Sequence, residues 1–276
     1  MSRVQSLIVE RQGGIERGTL MVASAKLTDA ELAELLADPR VTALSDLSLH
    51  HNALTSAGIR TAIASPKLTR LANLNLSNNP IGDEGVRALA GSEVLDPILT
   101  LSLAGVGATE AGAQALAESD HSAGIAQLDL GFQPIGRAAP LLATPRKALL
   151  LQKAGIDSQT AVALLQTGQV ATLKLKENAI PTLDGLTSVS PALTALDLGS
   201  CGLTDLSALA TAPAPGLRSL HLDYNPLGDE GLEVLARATW LPTLEFLSAM
   251  GAQGGPAGRA ALRSAWGERP GLTLER

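Results

Sequence analysis

The chain is short of large rings. Two Phe, one Tyr and two Trp are all it has in 276 residues, an aromatic content of 2%, against a hydrophobic content of 45%. So much apolar residue rules out a disordered chain. So few rings argue against an ordinary globular core, which uses Phe and Trp as large fillers. A core of repeated Leu, Ile, Val and Ala, made by stacking short units, fits both numbers, and large rings are expected to be left outside it. There is one cysteine, Cys201, so no intrachain disulfide can form; the chain suits a reducing compartment or is indifferent to redox. Positive charge is not in excess: 21 Lys and Arg against 27 Asp and Glu give −6, which argues against duplex nucleic acid as a partner. The first ten residues lack the apolar run of an export signal, and no apolar stretch reaches the length of a membrane span. The expectation is a cytoplasmic protein, not membrane-bound and monomeric by itself.

What is present is a repeat. Leu71, Leu74, Leu76, Asn79 and Ile81 set a frame that recurs at Leu44, Leu47, Leu49, Asn52 and Leu54, and again at Leu217, Leu220, Leu222, Asn225 and Leu227. Asn52 and Asn79 are 27 residues apart, and the next steps of 27 reach Val106 and Gln133. From Ile135 onward the steps shorten to between 21 and 24 residues, through Ile156, Ile180, Leu203 and Leu227, before a last step of 27. A period of this size marks a solenoid. Leu-x-Leu alternation predicts a short strand with one buried face. In the long units helices follow: Thr28 to Glu31 has the form of a capping box, and Asp83, Glu84, Asp229 and Glu230 place negative charge where helices begin.

These residues resemble the leucine-rich-repeat family over roughly residues 17–276. The 27-residue units with Ile81-Gly82-Asp83-Glu84-Gly85 resemble the ribonuclease-inhibitor-like subclass. The shorter ones, such as Leu196 to Leu206, resemble the repeats of internalins. The resemblance implies an α/β leucine-rich-repeat solenoid, a curved horseshoe with a parallel β-sheet on the concave side and helices with short irregular turns on the convex side. It also implies a structural turn ladder of Asn52, Asn79, Asn178, Cys201 and Asn225, whose side chains bond the backbone of neighbouring turns. Val106, Gln133, Ala154 and Ala252 break that pattern, so the ladder is expected to be weak or water-filled there. The ends need covers: residues 1–16 are expected to cap the repeats of residues 17–254, pairing with residues 17–24 as a hairpin, and residues 255–276 to supply a capping helix and last strand.

Chemistry is hard to find. Ser48, His50 and Asp46, like Ser219, His221 and Asp223, hold hydrolase ingredients, but alternate strand residues stand about 6.5–7 Å apart and point in parallel, whereas a triad needs contact and an oxyanion hole. His50 and His51 lack metal-site geometry on a strand, the calcium-loop echo after Asp223 has Leu227 at a ligand position, and no phosphate loop occurs. Cys201 reads as the structural turn residue. No catalytic residue, metal or cofactor is expected.

Repeats instead align side chains into columns. The central one runs through Ser48, Asn75, Ser102, Asp129, Leu150, Lys174, Asp197, His221 and Ser248; the next includes Lys176, Asp223 and Met250; that at the strand end includes Phe132, Lys153 and Tyr224. Phe246 precedes a strand leucine. Exposed aromatics are the usual interface anchors. The expected partner-binding residues are therefore Phe132, Asp129, Lys153, Lys174, Lys176, Asp197, His221, Asp223, Tyr224, Phe246 and Met250. Lys174, Asp197 and His221 either neutralise one another or form a dipolar patch that sets a partner's register. The expected function is non-enzymatic protein binding on the concave face, as an inhibitor or immunity-type protein. The alternative is regulation of a small GTPase, by fold analogy with Ran GTPase-activating proteins.

Overall fold

Most repeats spend three residues on a strand and the rest on returning the chain to the next one; the strands Arg146–Leu150 and Val170–Lys174 are longer, with five each. The computed structural model describes residues 2–274; residue 1 of the expected N-terminal cap and residues 275 and 276 of the C-terminal cap lie outside that range. Two units form, Met1–Ala138 and Ala139–Arg276. The first contains α1 (Arg3–Ile15), β1 (Thr19–Met21), α2 (Asp29–Ala37), β2 (Asp46–Ser48), α3 (Ser56–Ile63), β3 (Asn73–Asn75), α4 (Gly82–Ala90), β4 (Thr100–Ser102), α5 (Glu110–Ala117) and β5 (Gln127–Asp129). The second contains β6 (Arg146–Leu150), α6 (Ser158–Thr167), β7 (Val170–Lys174), β8 (Ala195–Asp197), α7 (Ser207–Thr211), β9 (Ser219–His221), α8 (Gly228–Ala236), β10 (Phe246–Ser248), α9 (Pro256–Trp266) and β11 (Leu272–Thr273). Within each unit the strands pair in parallel and in sequence order. The α/β solenoid architecture expected from the repeat is thus present. Residues 181–194, between β7 and β8, form no helix, as the tight spacing there requires.

The core is a stack of equivalent leucines. Leu47, Leu74, Leu101 and Leu128 line up in the first unit, and Leu149, Leu173, Leu196, Leu220 and Leu247 in the second; all are buried. Burying a leucine side chain contributes about 1.5–3 kcal/mol. The turn after each strand is buried too, and its peptide groups need partners. Asn178 shows how they are met. Its Oδ1 accepts from the N–H groups of Ala154 (2.8 Å) and Ile156 (3.0 Å), and its Nδ2 donates to the carbonyls of Leu151 (2.8 Å) and Leu175 (2.7 Å). Asn52 and Asn225 repeat the pattern, Asn79 most of it. The Cys201 thiol donates to the Leu175 carbonyl at 3.2 Å.

Gln133 corrects the expected gap. Its Oε1 accepts from Val106 (3.1 Å) and Ala108 (3.2 Å), and its Nε2 donates to Leu103 O (2.9 Å). The longer side chain carries the same amide to the same groups. Val106 and Ala252 have no such side chain, and the turns before them are built differently. Pro80 and Pro226 follow Asn79 and Asn225 and have no N–H to satisfy. Ile81 and Leu227 donate back to Asn79 O and Asn225 O, while Gly82 and Gly228 donate to the carbonyls of Val106 and Ala252.

The helix layer has its own ladder. Asp29 accepts from the N–H (2.9 Å) and hydroxyl (2.5 Å) of Thr55, at the start of the next helix. Asp83 does the same for Thr109 and adds Gly112 N–H at 2.9 Å; Asp229 accepts from Gly258 N–H. The Gly112 position has no room for a side chain, since a Cβ would lie 2.6 Å from the Asp83 carboxylate.

Residues 3–15 are helical, not one arm of a hairpin. Val4, Ile8 and Ile15 recur at helical spacing and are buried together, while Ser2 caps the first turn by accepting from Gln5 N–H. The Leu7-Ile8-Val9 run suggests a strand only when read alone. Gly14 lets the helix end pass close to β1: a Cβ there would sit 2.9 Å from Thr19 O. Gln5 donates to Asp38, and Arg3 pairs with Glu31 at 2.7 Å. At the other end α9 packs on α8, and the Arg269 guanidinium lies 4.2 Å from the Trp266 ring. Trp240 and Trp266 are both buried, with their indole N–H groups on Leu209 O and Arg269 O. Large rings are therefore not excluded from the core; Trp266 sits in the capping helix, and Trp240 reaches back to α7 of the preceding repeat.

Replacing Asn178 with Ala strands two buried N–H groups and the Leu151 carbonyl, leaves the Leu175 carbonyl only the Cys201 thiol, and should cost about 3 kcal/mol in urea denaturation. Gln133→Ala should cost a similar amount, which a gap at that position would not. Burial pushes the Asp83 carboxyl up, but the bonds from Thr109 and Gly112 outweigh it and leave the pKa below the usual carboxylate range; Arg40 holds Asp38 lower still. Depressed folded-state pKa values contribute stability above the unfolded value, which is lost as pH falls through the folded one. Thermal stability should therefore decline as pH drops below about 4, and Asp83→Asn should flatten that decline while lowering the melting temperature at neutral pH.

Candidate functional site

The strand face opposite the helices is where exposed side chains converge in rows. Pairing registers Ser48 with Asn75, Ser102 and Asp129 in the first unit, and Leu150 with Lys174, Asp197, His221 and Ser248 in the second. The expected central column is therefore in place within each unit.

The row at the strand end has an unusual backbone. His51, Asn78 and Phe132 in the first unit, and Lys153, Glu177, Ser200 and Tyr224 in the second, all have φ between 50° and 60°. The turn demands this: each left-handed residue lies three residues past its strand, and Asn78, Glu177 and Tyr224, for example, donate N–H to Ala104 O, Gly199 O and Met250 O in the turn after the next strand. Left-handed geometry costs a residue with a Cβ about 1–2 kcal/mol relative to the right-handed form, and glycine nothing comparable. Only Gly105 and Gly251 in this row avoid that cost. Gly251 has a further reason, since a Cβ there would lie 2.8 Å from Tyr224 Cδ1. The Tyr224 ring thus lies against the Gly251 backbone, supported on one side, with 56% of the residue still exposed.

In the second unit the charges are unequally engaged. Asp197 Oδ1 accepts from Gly199 N–H at 2.9 Å. Asp223 Oδ1 accepts from the Ser248 hydroxyl (2.5 Å) and Met250 N–H (2.8 Å). Lys176 stands 4.0 Å from Glu177, which also takes the Gln152 amide. Lys153 and Lys174 are exposed and make no ion pair among the described residues. Lys174, Asp197 and His221 share a row but do not neutralise one another, because the aspartate is turned onto its own backbone. His221 instead packs on Phe246, ring centroids 4.8 Å apart, so Phe246 is half-buried rather than free. Met250 is half-buried as well.

The first unit has a hollow of about 360 Å³ lined by His50, His51, Asn75, Ser77, Asn78, Ala104, Asp129 and Phe132. Phe132 is 52% exposed at its rim. Asn78 and His51 are bonded side chain to side chain at 3.2 Å. Asp129 Oδ1 accepts from Gly131 N–H, the same arrangement as Asp197 with Gly199. Ser48 and His50 touch after all: Oγ and Nδ1 are 2.8 Å apart, because the strand ends at Ser48 and the chain bends. The Asp46 carboxylate is turned away from them, held by Ser45 and Asn73, so the pair has no orienting acid. Among the described residues no three His, Cys, Asp or Glu side chains gather as a metal site would need. Gln133 and the left-handed row escape a reading of residue types. Only the repeat spacing, followed through every turn, signals them.

Three stretches of the chain, residues 65–90, 189–210 and 216–236, match the family model described as Leucine Rich repeat. These matches support a leucine-rich-repeat family for the chain. A search of curated proteins finds no match. Solved structures similar to the chain include the crystal structure of a plant ice-binding protein, 16% identical, with a TM-score of 0.38, covering 92% of this chain and 73% of that one.

Cys201 sits in the ladder rather than on the face. Burial pushes its thiol up to about 11. A thiol-reactive disulfide reagent at pH 8 should therefore leave the native protein nearly unlabelled over a time in which the guanidinium-unfolded chain reacts fully.

Proposed function

We propose that the chain is a non-enzymatic protein-binding module that holds a partner protein on its strand face. Leucine-rich-repeat domains generally mediate protein–protein interaction and are typically not enzymes. The observation that carries the reading to this face is the left-handed row. Phe132, Lys153 and Tyr224 occupy positions where glycine would be the least strained choice. Strain of this kind collects at functional sites. Here it presents one large ring to solvent in each unit, Phe132 in the first and Tyr224 in the second, and exposed aromatics are what binding hot spots are made of.

The action we propose is occlusion, as an inhibitor or immunity-type protein performs it. A surface already anchored to the backbone covers a partner without rearranging. No residue of the face offers a reason of its own for the GTPase-regulating alternative.

Tyr224→Gly and Phe132→Gly separate binding from folding. Each relieves left-handed strain while raising unfolded-state entropy, so stability should stay within about 0.5 kcal/mol of wild type. Affinity for a partner captured by the wild-type protein should fall at least about thirtyfold for a ring acting as an anchor. If both variants hold the partner as tightly as wild type, the binding surface lies elsewhere than this face.

A further inference from the structure

On the second unit's face, β8 is the low strand. It offers Ala195, Asp197 with its carboxylate folded onto Gly199 N–H, and then Gly199 itself. Gly199 adds no side chain to the lane; it is buried, and a Cβ there would lie 3.2 Å from Asp197 Oδ1, 3.5 Å from Asp223 O and 3.6 Å from Lys176 Cγ. On one side of β8 stand Lys174 and Lys176 of the β7 strand and the turn after it, with Lys153 beyond. On the other side stand His221, stacked on Phe246, and Tyr224. Strands lie about 4.8 Å apart, so the two flanks are roughly 10 Å apart, wide enough for one segment of chain.

Resting on the protein-binding reading above, we infer that this lane takes a segment of the partner that carries Asp or Glu side chains along one side and an aromatic or large aliphatic residue along the other. The reason lies in which charges are already satisfied. Asp197 and Asp223 have backbone and hydroxyl donors of their own. Lys153 and Lys174 have no carboxylate within ion-pair distance among the described residues. A partner that covers them strips their water, and an unpaired buried ammonium is costly. A partner bringing carboxylates offsets that cost and fixes its own register. A nucleic-acid strand would also meet lysines and rings, but its phosphates would run past Glu177, Asp197 and Asp223, and the chain as a whole carries −6.

Three fluorescent synthetic peptides test this by anisotropy: one alternating Glu with Trp and Leu, one with Lys in place of Glu, and one that keeps Glu but has Ala for the apolar residues. An oligothymidylate of similar length serves as the fourth probe. The expected order puts the Glu/Trp/Leu peptide first and the Lys peptide last. Lys153→Glu/Lys174→Glu, both on exposed side chains, should weaken the first by on the order of tenfold, with a smaller salt dependence than wild type. Tyr224→Gly should weaken the peptides bearing apolar residues but keep the preference for acid over base. The inference is overturned if no peptide binds, if acidic and basic peptides bind alike, if the lysine reversal changes nothing, or if oligothymidylate binds best. Binding that depends on Tyr224 but is indifferent to peptide charge would sink the acidic partner and leave the strand-face reading standing. Binding indifferent to both Tyr224 and the lysines would remove both.

Discussion

A solenoid turn buries peptide groups that neither strand nor helix can pair, and everything else in this chain is arranged around supplying them with partners. Where a turn carries a carboxamide, at Asn52, Asn79, Gln133, Asn178 and Asn225, that side chain does most of it, as Asn178 does by taking N–H groups from the preceding turn and giving N–H to carbonyls on both sides. The pattern of prolines follows from this. Asn79-Pro80, Gln133-Pro134 and Asn225-Pro226 each precede a turn whose ladder position is Val106, Ala154 or Ala252. In all three the residue after proline donates back to the carbonyl of the amide residue, closing the turn on itself. Where Gly follows the ladder position instead, at Val106-Gly107, Ala154-Gly155 and Cys201-Gly202, the next turn brings an amide: Gln133, Asn178 and Asn225. The apparent gaps are one of two ways of meeting the same demand.

The same turn sets the face we propose for binding. To leave the strand and present its peptide groups to the ladder, the chain passes through a left-handed residue just before the ladder position. Folding alone would favour glycine there. Gly105 and Gly251 show that the fold accepts it. That Phe132, Lys153 and Tyr224 stand there instead marks the positions where strain has been accepted and a side chain put on display. The stable ladder behind them is what lets the backbone hold that strain.

Much of this was legible beforehand, and the failures have physical causes. Strand positions, rows, capping box and acidic helix starts follow from period and residue type, because each repeat meets the same local demands. The N-terminal helix was missed because Leu7-Ile8-Val9 has strand-like residues, while the deciding contacts, Val4, Ile8 and Ile15 against the first repeat, are tertiary. Gln133 looked like a break because its reach depends on where its backbone sits. Ser48 meets His50 because the strand ends sooner than an ideal one. The two Trp are interior because each indole N–H finds a backbone carbonyl, Trp240 at Leu209 and Trp266 at Arg269, which residue order does not reveal.

The sequence by itself determined the repeat, its strands, and which residues share a row, since a side chain's place in a row is set by counting along a periodic backbone. Only the tertiary structure decided which members of a row are available. Asp197 and Asp223 turn to backbone N–H groups and His221 to Phe246, while Lys153, Lys174 and Tyr224 remain exposed. Availability depends on which groups a neighbouring turn brings within hydrogen-bond reach, a distance between strands that residue order does not contain.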